Sequence, residues 1–150
     1  MNVSAREKVI SDMKEALKRG EKARLSVLRM FVAAMKNKEI ELRRGLDDGE
    51  VAQVAATLIR QRTDSVVQYR RGGRDDLADR EEAEIAVLRA YLPEQLSASE
   101  LEEVVASAVE ELGASDMKDM GRVMKSVMEK VRGRADGRVV SETVRKALSR

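Results

Sequence analysis

The sequence predicts an all-α protein, and three features of its 150 residues carry that expectation. The chain holds one phenylalanine, two tyrosines and no tryptophan, so its core must be built from Leu, Val, Ile, Ala and eight methionines. A core without rings favours helices over sheets. One proline and nine glycines supply too few turn residues for an all-β fold. Apolar residues also recur at three- and four-residue spacing along nearly the whole chain, between recognisable helix caps.

Ser4 and Glu7 form a capping box for a first helix with Ile10, Met13 and Leu17 inward, ended by Gly20. A second helix runs from about Glu21 to Arg44 on Leu25, Leu28, Val32, Met35 and Leu42, and Gly45 stops it. Val27, Phe31 and Ala34 widen its stripe, so two neighbours are expected against it. Asp47 and Asp48 supply the N-terminal carboxylate of a third helix through Val51, Val54, Ala55, Leu58, Ile59, Val66 and Tyr69, broken at Gly72-Gly73. Asp75 or Asp76 caps a fourth, with Ile85, Leu88 and Leu92 inward.

Pro93, in Tyr91-Leu-Pro-Glu-Gln-Leu96, marks the expected boundary. Beyond it, Ser97 and Glu100 form a second capping box for a helix on Leu101, Val104, Val105, Ala108 and Leu112, closed by Gly113. A sixth helix carries Met117, Met120, Val123, Met124, Val127, Met128 and Val131, and Gly133 ends it. Asp136 caps the last helix, with Val139, Val140, Val144 and Leu148 inward. The expected organisation is an N-terminal helical bundle over 1–92 and a C-terminal three-helix module over 97–150, a module small enough to be marginal alone.

The chain has neither cysteine nor histidine. That excludes disulfides, thiolate nucleophiles, Ser-His-Asp triads and Cys/His metal sites. No paired nucleophile and base stands out, so catalysis by the chain alone, a metal and a cofactor are all unexpected. The N-terminal stretch is charged and amphipathic, and no apolar run approaches the ~18 residues of a membrane span, so a cytoplasmic protein is expected.

Charge is unevenly spread. Residues 1–74 carry 17 Lys/Arg against 10 Asp/Glu, residues 75–116 carry 2 against 13, and residues 117–150 carry 10 against 4. The layout fits either an anionic partner for the ends or attraction between ends and middle. The segment Lys130-Val-Arg-Gly-Arg-Ala-Asp-Gly-Arg138 opens onto a helix N-terminus, where free N–H groups and Arg132, Arg134 and Arg138 would favour phosphate. Equally, Gly133 is a C-cap, Asp136 an N-cap already occupying those N–H groups, and the arginines solvated. Arg60, Arg62, Arg70, Arg71 and Arg74 form a second basic cluster, either a nucleic-acid surface or pairs for the acidic stretch after Asp75. Met117, Met120, Met124 and Met128 offer an adaptable protein-docking groove or, at this spacing, core filling. Glu81, Glu82 and Glu84 read as a solvated face.

Lys118-Asp-Met-Gly-Arg-Val-Met124 followed by Val131-Arg-Gly-Arg-Ala-Asp-Gly-Arg-Val-Val140 resembles the signature of the GatB/YqeY family. Tyr91-Leu-Pro-Glu-Gln-Leu96, Gln61-Arg-Thr-Asp-Ser65 and Arg24-Leu-Ser-Val-Leu-Arg29 are similar to the stand-alone members, in order along nearly the whole chain. In that family the C-terminal module also forms the tail of the B subunit of glutamine-dependent aminoacyl-tRNA amidotransferase, where it engages tRNA. The resemblance implies a helical protein that binds tRNA or a tRNA-bound enzyme and is non-catalytic by itself. The positions it carries over are Gly121, Lys130, Gly133 and Ala135, followed by the helix from Asp136, and together with the basic pattern the expected RNA-binding residues are Lys118, Gly121, Lys125, Lys130, Arg132, Gly133, Arg134 and Arg138. Two other expectations stand beside it: an accessory component of such an amidotransferase, whose carbon–nitrogen ligase activity takes glutamine as amide donor, and a helical protein–protein adaptor.

Overall fold

The structure, a computed structural model, describes residues 3–149, so the ends of the expected ranges at 1, 2 and 150 lie outside the described residues. Among them are seven α-helices and no strand: α1 (Ala5–Arg19), α2 (Lys22–Leu42), α3 (Asp48–Arg71), α4 (Asp75–Arg89), α5 (Ala98–Leu112), α6 (Met120–Val131) and α7 (Gly137–Leu148). The protein is all-α. The helices fall into two compact units divided between Leu92 and Pro93.

In the N-terminal unit, Ser4 Oγ accepts the Glu7 N–H to start α1, and Gly20 ends it at φ 69°. Val9 and Ala16 of α1, Leu28, Phe31 and Met35 of α2, Val51 and Ala55 of α3 and Leu88 of α4 form one buried core. Leu17, expected inward, is instead 57% exposed. Ala16, one residue earlier, holds the line of Val9, and a 100° step carries Leu17 off it. Tyr91 packs edge-on against Phe31, ring centroids 5.3 Å apart, and its phenol donates to Asp12 at 2.7 Å. Burial and that hydrogen bond to a carboxylate push the phenol pKa far up, so it stays protonated.

The turn into α3 departs from expectation. α2 stops at Leu42, two residues before the expected end, with Arg43 in the left-handed region at φ 59°. The cause is Glu39, whose carboxylate accepts from Arg6 at 2.8 Å and from the Leu46 N–H at 3.1 Å. This draws the chain back across the helix end before Gly45 is reached. Asp47 and Glu50 then cap α3 reciprocally, and Arg44 grips Glu50 at 2.7 and 2.9 Å. At α4 the cap position belongs to Arg74 without any side-chain cap bond, not to Asp75 or Asp76. Both aspartates lie in the first turn, held by Arg70 and Arg74, where they face the positive helix end.

The Glu50 network makes stability sensitive to acid. The Arg44 guanidinium, followed by the Asp47 N–H, lowers the Glu50 pKa from 4.5 to about 2. Arg6 shifts Glu39 the same way. A depressed folded-state pKa stabilises fully above about 4.5 and is lost as pH falls towards 2. Glu50→Gln is therefore expected to flatten the loss of stability between pH 4.5 and 2, read as urea midpoints at several pH values. An acid limb as steep as the wild type's would remove Glu50 as its source.

In the C-terminal unit, α5, α6 and α7 share a core of Leu101, Val105, Ala108, Val123, Val127, Val131, Val140, Val144 and Leu148, with no aromatic ring. Ser97 and Glu100 form the expected capping box, and Gly113 closes α5 at φ 61°. Met117 is not part of α6. It lies in a 3₁₀ turn, Met117–Asp119, and is 43% exposed. Asp116 accepts the Lys118 N–H and Asp119 accepts the Ser115 N–H, which holds the tighter turn ahead of the α-helix. Met120, Met124 and Met128 pack around the valine core. Val139 is 48% exposed, because Val140, Val144 and Leu148 set the inward line. No helix of the described residues is long and apolar enough to cross a membrane.

Candidate nucleic-acid interface

The turn between α6 and α7 begins where the side chains of Val127 and Val131 bury the end of α6. Arg132 follows at φ 29°, the left-handed side of the map that a residue with a Cβ resists, and Gly133 at φ 79°. Gly133 is buried, and the Arg134 N–H returns to the Val131 carbonyl at 2.8 Å. The segment after Pro93 closes over this turn. Gln95 Nε2 donates to the Gly133 carbonyl at 2.9 Å, the Leu96 N–H donates to the Arg134 carbonyl at 2.8 Å, and Arg134 Nε donates to the Glu94 carbonyl at 3.1 Å. Two motifs that lie 40 residues apart are thus one hydrogen-bonded feature.

That geometry decides what the turn can do chemically. Its carbonyls face the 94–96 segment, and Asp136 already accepts the Arg138 N–H at 2.7 Å, so the start of α7 carries its own carboxylate. The turn is a capped, clamped corner rather than a nest of open N–H groups. Lys130 pairs with Glu111 of α5 at 2.9 Å. Beside it, Glu100, Glu103, Lys130 and Arg134 wall a cleft of about 420 Å³ over Leu96 and Val104. The bonds to Ser97 hold the Glu100 carboxyl below its ordinary range.

The other basic positions lie elsewhere on the same unit. Lys118, Gly121, Arg122, Lys125, Glu129 and Arg132 are all exposed, and their three- and four-residue spacing puts them on one outward face of α6 and its flanking turns. Arg122 is held by Asp119 at 2.7 Å. Lys118, Lys125 and Arg132 make no ion pair among the described residues. The structure therefore groups Lys118, Gly121, Lys125 and Arg132 on this face, sets Lys130, Gly133 and Arg134 at the clamped corner, and puts Arg138 in the first turn of α7.

The N-terminal basic cluster is consumed internally in large part. Arg62 is only 6% exposed and donates to Glu84 at 3.0 Å and to the Leu58 carbonyl at 3.1 Å, with Met30 Sδ at 3.5 Å. Arg70 meets Asp75, Asp79 and Glu82 within 3.2 Å, and Arg74 meets Asp76. Of the glutamates expected to be a solvated face, Glu82 is exposed and pairs with Arg70, whereas Glu84 is partly buried against Arg62. Burial, then the neighbouring Glu84 charge, raises the Glu81 pKa.

Comparison with known proteins places this arrangement. A family model described as Yqey-like protein matches residues 6–148, across both units. The chain belongs to the YqeY-like family. It is 35% identical over 92 residues to the Altered inheritance of mitochondria protein 41 of Lachancea thermotolerans, a match over 61% of this chain and 49% of that protein. The protein of the same name from Saccharomyces cerevisiae (strain ATCC 204508 / S288c) is 30% identical over 92 residues, 61% of this chain and 50% of its own. That of Eremothecium gossypii is 32% identical over 82 residues, 54% and 45% respectively. The matches thus span about half the length of these relatives, all named as mitochondrial.

Sequence reasoning about this YqeY-like chain missed Gln95, the residue that joins the proline segment to the glycine turn. A glutamine two residues after a proline carries no local signal; only its pairing with a buried carbonyl does.

Proposed function

We propose that this YqeY-like protein binds RNA, with tRNA as the favoured ligand, through the outer face of α6 in its C-terminal unit, and that it acts as a binding protein and not as a catalyst by itself. The observation that carries this reading is the contrast between its two basic regions. Three of the five N-terminal arginines, Arg62, Arg70 and Arg74, are neutralised by their own chain, with Arg60 and Arg71 left exposed. Lys118, Lys125 and Arg132, by contrast, all face outward without an ion pair among the described residues, on a face that holds one acid, Glu129, beside the Arg122–Asp119 pair. Exposed uncompensated cations in a row suit a phosphate backbone. Any link to a tRNA-dependent amidotransferase enters as a partner that shares the RNA, in a cytoplasmic setting or, as for the relatives named above, a mitochondrial one. The adaptor reading is weaker, because Met120, Met124 and Met128 are turned towards the core.

The test is titration of labelled, unmodified tRNA with the full chain across a salt series. The wild type is expected to bind with a log–log salt slope of about −3 or steeper, and Lys118→Ala/Lys125→Ala/Arg132→Ala to lose roughly two to three units of that slope, at ~0.7–0.9 per phosphate contact. Wild-type binding that is absent, or unaffected by salt, would overturn the reading.

A further inference from the structure

The cleft beside the clamped corner holds charges of both signs that the chain keeps apart. Arg134 lines it and is fixed at three points: its N–H donates to the Val131 carbonyl at 2.8 Å, its carbonyl accepts from the Leu96 N–H at 2.8 Å, and Nε donates to the Glu94 carbonyl at 3.1 Å. The two terminal nitrogens of the guanidinium are left without a partner among the described residues. Glu100, Glu103 and Ser107 of α5 line the same cleft. The Ser97 N–H ties Glu100 back at 3.1 Å, and Glu103 is exposed with no ion pair or hydrogen bond among the described residues. The bonds to Ser97 and, after them, the charge of Arg134 lower the Glu100 pKa, yet no ion pair joins the two. Lys130 adds a second cation, already held by Glu111, and the half-buried Leu96 and Val104 supply an apolar floor.

We propose that this cleft binds a free aliphatic α-amino acid, its carboxylate on the Arg134 guanidinium, its ammonium on Glu103 and its side chain over Leu96 and Val104. A simple anion would meet Glu100 and Glu103, and a simple cation would meet Lys130 and Arg134, so each gains one contact and suffers one repulsion. A zwitterion satisfies both signs at once. The outer edge of a guanidinium takes a carboxylate through two parallel bonds, and an arginine already fixed in place loses little freedom in doing so. The apolar floor favours a hydrocarbon side chain over a polar one. The volume of about 420 Å³ admits one such molecule and lies within the ~300–1,000 Å³ of small-molecule sites. Lys118, Lys125 and Arg132 do not line this cleft, so the proposal stands apart from the RNA reading.

The experiment titrates the nitrogen-15-labelled full chain with L-leucine to about 20 mM, following backbone amide shifts, with saturation expected at a Kd of about 1 mM. N-acetyl-L-leucine keeps the carboxylate and blocks the ammonium, and L-leucine amide does the reverse. Each is expected to bind roughly tenfold more weakly, for want of one charge-assisted bond. Glu103→Gln is expected to weaken L-leucine roughly fivefold or more, to leave N-acetyl-L-leucine unchanged and to keep the wild-type Tm, since Glu103 is exposed and unpartnered. Arg134→Lys is expected to weaken L-leucine and leave the amide unchanged, a pattern that mere loosening of the turn would not produce. Absence of saturable shifts would overturn the proposal. So would equal binding of the three compounds, saturation confined to amides outside 94–107 and 128–136, or a Glu103→Gln variant that binds L-leucine like the wild type.

Discussion

Gly133→Val is expected to destabilise the C-terminal unit by about 3–6 kcal/mol. A β-branched residue at φ 79° carries a left-handed penalty of ~1–2 kcal/mol, and Gly133 is buried, so three added carbons must displace neighbours at ~1–3 kcal/mol. Displacing the turn also breaks the bond from Gln95 to the Gly133 carbonyl, worth ~1 kcal/mol. Gly133→Ala at the same place is expected to cost less, because one methyl group intrudes rather than three carbons. Urea unfolding followed by backbone circular dichroism checks this, with hydrogen exchange of α7 amides to localise the loss. A cost below about 1 kcal/mol for the valine variant would mean that the turn adapts, and that its conformation does not depend on the glycine.

Arg62→Ala is expected to cost the N-terminal unit about 2–4 kcal/mol. The substitution removes the guanidinium that Glu84 and the Leu58 carbonyl share, leaving a carboxylate against α3 without its cation. Breaking such a pair from one side is far more damaging than replacing both members. The partial exposure of Glu84 lets water reach it and keeps the cost below the ~5 kcal/mol of a fully buried pair. The informative companion is Arg62→Met/Glu84→Leu, which is expected to recover most of the loss. If the single and double variants were equally unstable, packing of the arginine stem would be responsible, not the ion pair.

The helices were legible because their ends are written in short-range chemistry. Ser4, Asp47, Ser97 and Asp136 each accept a backbone N–H within three residues, and Gly20 and Gly113 adopt the left-handed cap their position calls for. Where the reading failed, a partner distant in sequence had intervened. Arg43 rather than Gly45 turns the chain, since Glu39 is claimed by Arg6, 33 residues away. Pairing of Arg62 with the acidic stretch after Asp75 is one of the two readings the sequence leaves open. Its burial is not legible there, because it comes from the packing of α3 on α4, which encloses Arg62 and leaves Glu84 partly exposed. Met117 fell outside α6 through aspartate bonds that hydrophobic spacing does not register. At the candidate interface the sequence named the basic positions. It did not separate those that the chain itself occupies, such as Lys130 with Glu111, from those left facing outward, such as Lys125. That distinction depends on which side chains meet across helices.

The division of the aromatic residues has an optical consequence. Phe31, Tyr69 and Tyr91 all belong to the N-terminal unit, and the valine-centred C-terminal unit has no ring. Near-ultraviolet circular dichroism and tyrosine emission therefore report the N-terminal unit alone, while peptide-bond absorption reports both. With no tryptophan in the chain, each of these signals has few sources. Loss of the Arg62–Glu84 pair should shift the tyrosine transition and the backbone transition together. Damage at Gly133 should instead separate them, with the backbone signal melting first and the tyrosines still reporting a native environment. The chain carries a built-in label for one half and silence for the other, so the cooperativity between its units can be measured without attaching a dye.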